Sequence, residues 1–324
     1  MQNFMKNSWM NQILAKETDN MTYEEFKEAV RESVAREFGD RAEVYQKTVT
    51  KVNDTEREAV IIGDNGKETE SAVYLDDLYQ AYRSTGRFNK CVEKVMRICR
   101  EQAPVRQEDF PGTWEEAKPG IQMKIINKEW NREYLKQMPA MNYLNFAIVF
   151  YVVLEATREM SATVTITDDI MRRWGVDVDK LWHTALDNIR KEVFQLGSMD
   201  VVLESICKAA GMETDGLKEQ MLTGKGGCPL YVATSENQSY GARVILRADL
   251  LREFAEKRKS DFFILPCSVH ELIFVEDDGK MDAGNLKRMV YEINRQPWTI
   301  APEDRLADSI YYYDREKDYV EIVA

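Results

Sequence analysis

The sequence predicts an α+β protein, with mixed or antiparallel sheets, flanking helices and two subdomains. Helix and strand signals are interspersed along the chain, many of the strands are joined by hairpin-length turns, and a proline-containing stretch divides the chain. A doubly wound parallel sheet would instead require strands that alternate regularly with crossover helices.

The N-terminal region, residues 1–105, is predicted to hold a helix, a β pair and two further helices. Thr22 and Glu25 have the spacing of a capping box, and Gly39 can end the helix that starts there. Strand-forming residues then flank a turn at Asn53. The predicted elements are a helix at 22–38, strands at 42–52 and 59–62, and helices at 74–82 and 88–99.

Residues 106–120 are predicted to link this region to a C-terminal domain, residues 121–324. Pro104, Pro111 and Pro119 lie in or beside this link with several charged residues, a composition typical of a boundary. The predicted strands are 121–126, 144–154 (alternatively a core helix), 162–166, 230–234, 240–245, 262–265, 269–275, 309–313 and 319–323. The predicted helices are 129–136, 167–173, 178–193, 201–210, 217–222, 248–259 and 286–293.

Composition excludes several classes of protein. The formal charge of −12, from 56 acidic and 44 basic side chains, argues against general nucleic-acid backbone binding, although it leaves open an acidic mimic of nucleic acid. Five cysteines without a CxxC pair, two histidines and no signal peptide predict reduced thiols in the cytoplasm. The longest apolar run, 146–154, is too short to cross a membrane. We expect no cofactor.

The tightest group of reactive side chains in the chain is formed by Cys267, Ser268, His270 and Glu271. If these residues belong to one strand, Ser268 and His270 share one face and the other two share the opposite face. His270 could then act as a base toward the Ser268 hydroxyl, although no GxSxG elbow surrounds that serine. The pattern favours a structural role, in which Ser268 and His270 fix the chain after Pro266, and catalysis or the recognition of a ligand or partner are the alternatives.

Two further pairs near the C-terminus are candidate site residues. Asp277 and Asp278, beside Gly279, are typical of a turn, and the alternative is a divalent-cation site, although the EF-hand spacing is not met. Tyr311 and Tyr313 share one face of the predicted terminal strand, which makes them candidate contacts for a ligand or a protein partner.

Three other features favour structural interpretations. Asp168 and Asp169 suit the first turn of a helix, with a metal-binding pair as the alternative. His183, next to Trp182 on a predicted helix, is more typical of a structural histidine than of a catalyst. Residues 223–227 lack the spacing of a phosphate-binding loop and predict a flexible turn.

Several segments resemble an uncharacterised bacterial family, domain of unknown function 5688, of gut clostridia and their mobile elements. The matching segments are ILPCSVHELIFVEDDG (264–279), MVYEINRQ (289–296), APEDRLADSIYYYDR (301–315) and YLNFAIVFYVVL (143–154). ITDDIMRRWGVDVDKLWHTALDN (166–188) is also similar to the YtpQ family. The resemblance covers roughly 120–324 and implies no reaction. The family pattern commonly has Ser in place of Cys267, which weighs against Cys267 as a nucleophile.

These observations predict an accessory or interaction protein that acts through a protein partner or a small ligand rather than through chemistry. The resemblance adds the expectation of a mobile element. One alternative is a hydrolase that uses His270 with Ser268 or Glu271. The other is an acidic inhibitor that mimics nucleic acid and requires a continuous negative face.

Overall fold

Three sheets, each antiparallel throughout, carry the fold and confirm the predicted α+β class. The computed structural model describes residues 21–64, 70–101, 110–156, 161–199, 229–296 and 300–324. The described residues form two units. The first takes its residues from Met1–Lys51 and Thr55–Pro111, and the second from Val52–Asp54 and Gly112–Ala324.

The first unit packs helices on a three-stranded sheet. Its elements are α1 (Tyr23–Phe38), β1 (Ala42–Thr50), β2 (Glu56–Asp64), β3 (Glu70–Tyr74), α2 (Asp76–Thr85) and α3 (Phe88–Glu101), with the strands in the order β1-β2-β3. The predicted capping box starts α1, because Thr22 Oγ1 accepts the Glu25 N–H and Glu25 Oε2 accepts the Thr22 N–H. Phe26 of α1 contacts the rings of Tyr82 and Phe88 in the core.

The second unit contains a four-stranded sheet centred on β6. Its elements are α4 (Trp114–Ala117), β4 (Ile121–Asn127), β5 (Ala140–Tyr143), β6 (Phe146–Ala156), β7 (Ser161–Thr165), α5 (Asp168–Arg173) and α6 (Val178–Ile189). Strand β4 pairs with one edge of β6, while β5 and β7 pair with the other. Every side chain from Phe146 to Val152 is buried, which explains why β6 is continuously apolar.

A six-stranded sheet completes the second unit. Its elements are β8 (Phe194–Ser198), β9 (Leu230–Ser235), α7 (Ala248–Arg258), β10 (Phe262–Leu265), β11 (Glu271–Glu276), α8 (Ala283–Asn294), β12 (Tyr311–Asp314) and β13 (Tyr319–Ile322), and the strand order is β13-β12-β10-β11-β9-β8. On one face, Phe254 of α7 packs against Phe262 and Phe274. On the other, α8 contributes Leu286 and Val290 to a separate core cluster.

The two sheets of the second unit meet where β6 approaches β12. The rings of Phe146 and Tyr311 lie 5.0 Å apart between centroids. The Tyr311 hydroxyl donates to Asn145 Oδ1 at 2.5 Å, and Asn145 Nδ2 donates to Ser309 Oγ at 3.3 Å. These contacts join the last residues before β6 to the segment that leads into β12, and so hold the two sheets together.

The predicted strand at 240–245 is wrong. Gly241–Leu246 form a 3₁₀ turn instead, preceded by Tyr240 in the left-handed conformation at φ 52°. The Arg243 guanidinium closes the turn by donating to the carbonyls of Ser239 and Tyr240 at 3.0 and 2.8 Å. The segment is mostly apolar because nearly every residue of the turn is buried, not because it forms a strand.

Other predicted elements differ in extent. The predicted strand at 269–275 begins only at Glu271, and the predicted helix at 129–136 consists of two 3₁₀ turns, Glu129–Asn131 and Tyr134–Gln137. Strands β3, β5 and β8 were not predicted. The predicted helices at 201–210 and 217–222 and the turn at 223–227 lie outside the described residues. Among the helices that the structure describes, none is long and apolar enough to cross a membrane.

Candidate functional site

Ser268 stabilises a turn before β11. Its buried hydroxyl accepts the backbone N–H of His270 at 3.0 Å, and residues 267–270 do not belong to a regular strand. Val269 N–H donates to the Asp304 carbonyl at 2.8 Å, which ties the turn to the segment before β12. The strand parity that would place Ser268 and His270 on one face therefore does not apply, because the strand begins one residue after His270.

The imidazole of His270 is engaged at both nitrogens. Nδ1 accepts the backbone N–H of Tyr240 at 3.2 Å, so the neutral ring carries its proton on Nε2, which lies 3.3 Å from Asp304 Oδ1. The ring also stacks on Tyr240, with 5.5 Å between centroids and 20° between planes. Thr234 Oγ1 donates to the His270 carbonyl at 2.8 Å. With its lone pair taken by Tyr240, His270 holds the 240–246 turn in place.

Cys267 is a protected thiol. Burial, with a smaller contribution from the negative charge of Glu271, raises the pKa of the Cys267 thiol to about 12 from an ordinary 9.0. We expect iodoacetamide at about pH 8 to alkylate Cys267 roughly two to three orders of magnitude more slowly in the folded protein than in urea, because the thiolate is the reactive form. Mass spectrometry of the peptide that contains Cys267 measures both rates. Equal rates would contradict the assigned environment.

Asp277 and Asp278 cap the turn after β11. Asp277 Oδ1 accepts the Gly279 N–H and Asp278 Oδ1 accepts the Lys280 N–H, both at 2.9 Å. Asp277 Oδ2 also accepts the Tyr312 hydroxyl at 2.9 Å. Among the residues described, no group of three or more His, Cys, Asp or Glu side chains is arranged to hold a metal ion.

A cavity of about 770 Å³ lies in the second unit, away from the Ser268–His270 turn. Its walls come from β5, α6, the end of the 240–246 turn, the first turns of α7, and the β12–β13 hairpin. The lining residues are Tyr143, Trp182, Leu186, Arg190, Ile245, Leu246, Arg247, Ala248, Asp249, Leu251, Arg252, Tyr313, Asp318, Tyr319 and Val320. A volume of this size is typical of a site for a small organic molecule.

Helix α6 places one stripe of side chains on the cavity wall. Trp182, Leu186 and Arg190 recur every four residues and therefore lie on the same side of the helix. The neighbouring stripe of Leu181, Ala185 and Ile189 is fully buried, whereas Trp182 and Leu186 are only partly buried. The stripe of Trp182, Leu186 and Arg190 thus borders the cavity, whereas the neighbouring stripe belongs to the core.

Two aspartates on the cavity wall are each bound to an arginine. Arg247 Nε and Nη2 donate to the two oxygens of Asp249 at 2.8 and 2.7 Å, and this pairing lowers the pKa of Asp249. Arg252 pairs with Asp318 Oδ2, which lowers the pKa of Asp318. Asp318 Oδ1 accepts the Tyr313 hydroxyl at 2.5 Å. Burial and this bond raise the pKa of Tyr313, which keeps it a donor at neutral pH.

Two neutral donors on the wall are not engaged. In the part of the chain that the structure describes, the Tyr143 hydroxyl and the Trp182 indole N–H donate to no other group. Burial raises the pKa of Tyr143 to about 12, so it retains its proton over the physiological range. Both side chains combine an apolar ring with a polar donor, which is the character of residues that orient small ligands.

The structure places the other predicted residues as follows. Tyr313 lines the cavity, whereas Tyr311 is fully buried beneath Phe146 and is not among the lining residues. His183 is exposed on α6. Asp168 and Asp169 lie in the first turn of α5, and Asp169 pairs with Arg172. Residues 267–271 do not line the cavity.

Most of the cavity was not predicted from the sequence. The four-residue spacing of Trp182, Leu186 and Arg190 was a usable signal, because it marks an amphipathic stripe beside the fully apolar one. Arg247 and Arg252 gave no such signal, since Arg247 follows a turn that was predicted as a strand and Arg252 pairs with Asp318, 66 residues away.

A family model described as "Family of unknown function (DUF5688)" matches residues 23–315. The match begins at residue 23 and so extends through the first unit, beyond the segments that carry the resemblance. No curated protein and no solved structure matches the chain.

Proposed function

We propose that the second unit of this chain, which belongs to the DUF5688 family of unknown function, binds a small molecule in its cavity. The protein then acts through this binding rather than through catalysis. The observation that carries the proposal is the cavity itself. The cavity has a volume of about 770 Å³, its walls are largely apolar and aromatic, and the Tyr143 and Trp182 donors on them are not engaged by other described residues.

The chemistry of the lining supports binding over turnover. Both carboxylates on the wall are held in ion pairs with arginines, which favours their charged form and opposes their use as proton donors. His270, the predicted base, lies outside the lining and has both ring nitrogens engaged. A ligand-binding accessory protein is consistent with this arrangement.

We also propose that the protein works in the cytoplasm, as the cysteine pattern predicts. Cys91 and Cys267, in the part of the chain described, are free thiols, and burial raises the pKa of each. Thiols that are protected in this way persist in a reducing compartment without forming disulfides.

Titration of the full chain with N-phenyl-1-naphthylamine, a neutral apolar probe whose emission rises in dry surroundings, tests the binding proposal. We expect saturable binding of one probe per chain. Leu186→Trp, which places a bulky ring into the cavity, should abolish most of the signal, because the probe and the new side chain compete for the same space.

Val193→Trp is the matched control, because Val193 is exposed and does not line the cavity. It should bind the probe as the wild type does. Far-UV circular dichroism and a thermal midpoint establish that both variants are folded. If Leu186→Trp does not fold, Leu246→Phe, a smaller filling change at another lining residue, takes its place. Non-saturable binding, or equal binding by wild type and a folded filling variant, would disprove the proposal.

A further inference from the structure

The hydrogen-bonding groups on the cavity wall are unequally satisfied, and this inequality identifies the kind of ligand. Each carboxylate oxygen already accepts a hydrogen bond. Asp249 is bound at both oxygens by Arg247, and Asp318 is bound at one oxygen by Arg252 and at the other by the Tyr313 hydroxyl. An amine would therefore meet carboxylates whose negative charge is already balanced by an arginine.

The donors, in contrast, are largely unused. Arg252 has five N–H groups, of which one donates to Asp318 in the described part of the chain, and its side chain is half-exposed at 52%. Arg190, also on the wall, donates only to Asp187 among the described residues. The Tyr143 hydroxyl and the Trp182 indole N–H add two neutral donors. The wall therefore offers hydrogen-bond donors, and a ligand with hydrogen-bond acceptors would complement it.

The charged groups of the wall occur as pairs. The lining contains three arginines and two aspartates, and Arg190 pairs with Asp187 outside the lining, so the arginines and their carboxylates balance in charge. An anion would therefore be bound by the arginine N–H donors that remain among the described residues rather than by a net positive charge. The apolar remainder of the wall, which includes Leu186, Ile245 and Leu251, suits a ligand with an apolar body.

We infer that the cavity binds an organic anion, an apolar or aromatic body that carries a carboxylate, sulfonate or phosphate group, and that Arg252 binds the anionic group. Arg252 suits this role better than Arg247, because Arg247 is buried and its guanidinium is already used by Asp249 and the carbonyl of Ile189. Planar guanidinium groups bind such anions through paired N–H donors. This inference rests on the proposed function.

A matched pair of probes separates the two claims. 8-Anilino-1-naphthalenesulfonate is N-phenyl-1-naphthylamine with one added sulfonate, so the two differ only in the anionic group. We expect the full chain to bind the sulfonate probe about tenfold more tightly than the neutral one at low salt. Raising the salt to about 0.5 M should weaken the sulfonate probe and leave the neutral probe unchanged.

Arg252→Met should weaken the sulfonate probe by about tenfold and change the neutral probe by less than about twofold, because methionine keeps most of the apolar stem and removes the donors. Arg172→Met is the matched control, since Arg172 is exposed, pairs with Asp169 on the same helix and is not part of the lining. It should leave both affinities as in the wild type.

The double variant Arg252→Met with Asp318→Asn distinguishes direct contact from charge balance. It removes one positive and one negative charge from the wall, so its net charge equals that of the wild type. Affinity for the sulfonate probe should stay low if Arg252 binds the anion, and would return to the wild-type value if only net charge mattered. Failure of the neutral probe to bind would disprove the proposed function. Binding of both probes with equal affinity, or recovery in the double variant, would disprove the inference alone.

Discussion

Gly241→Ala should destabilise the second unit by about 3 kcal/mol, at the upper end of the range for overpacked sites. A Cβ at this position would lie 2.4 Å from the Ser235 backbone nitrogen and 2.5 Å from the His270 carbonyl oxygen. Both atoms belong to backbone held by sheet and turn hydrogen bonds, so neither can move aside without breaking other contacts. For a unit of this size the change corresponds to a fall in Tm of roughly 6 to 12 °C.

Urea unfolding followed by tryptophan emission measures this loss, because five of the six tryptophans lie after residue 111. Gly112→Ala is the matched control. Its Cβ would meet only the flexible Glu116 carboxylate at 3.7 Å, an ordinary contact, so its stability should stay within about 0.5 kcal/mol of the wild type. A loss below about 1 kcal/mol for Gly241→Ala would show that the 240–246 turn does not lie as described.

Arg243→Met should cost about 3 to 5 kcal/mol, the range seen when one partner of a buried ion pair is removed. The Arg243 side chain is only 2% exposed, and its guanidinium pairs with Glu192 while donating to the carbonyls of Ser239 and Tyr240. Without the arginine, the Glu192 carboxylate and both carbonyls lose their partner in partly or fully buried surroundings. The free energy of unfolding from urea titration gives the loss.

Adding Glu192→Gln to Arg243→Met should recover part of the lost stability, because the uncompensated charge is then gone while the two carbonyls remain without Arg243. Arg172→Met serves as the exposed counterpart. The side chains of Arg172 and Asp169 are 70% and 76% exposed, and such pairs contribute little, so we expect a change within about 0.5 kcal/mol. Similar losses for Arg243→Met and Arg172→Met would contradict the buried position of Arg243.

Patterns among residues close in sequence predicted many of the helices and strands. The capping box at Thr22 and Glu25 is a contact within four residues, and the structure contains both of its hydrogen bonds. The terminal hairpin of β12 and β13 was likewise predicted from the sequence, since its turn and its two strands are adjacent in the chain. Such elements could be predicted because the residues that stabilise them are adjacent in the sequence.

The 240–246 turn shows where prediction from local pattern ends. Its residues are mostly apolar, as in a buried strand, but Arg243 among them bonds to Glu192, which is 51 residues away, and Tyr240 bonds to His270, which is 30 residues away. These distant partners fix the backbone in a turn that overrides the local pattern. The sequence shows His270 and Arg243 as polar residues but cannot show what each of them meets.

The cavity was beyond prediction for the same reason. Its wall combines side chains from β5, α6, α7 and the β12–β13 hairpin, which the chain brings together only through the packing of two sheets. Ser268 and His270, the alternative catalytic pair, form their hydrogen bonds in and around a turn outside the lining. Tyr313 alone of the predicted contacts lies on the cavity wall.

A crystal structure of the full chain with bound 8-anilino-1-naphthalenesulfonate tests the central claim most directly, because it locates the ligand without relying on affinity. We expect the naphthalene ring within the cavity against Trp182 and Leu186, and the sulfonate within hydrogen-bonding distance of Arg252. A probe bound to the outer surface, with the cavity unfilled at saturating concentration, would contradict the claim that this cavity is the ligand site of the protein.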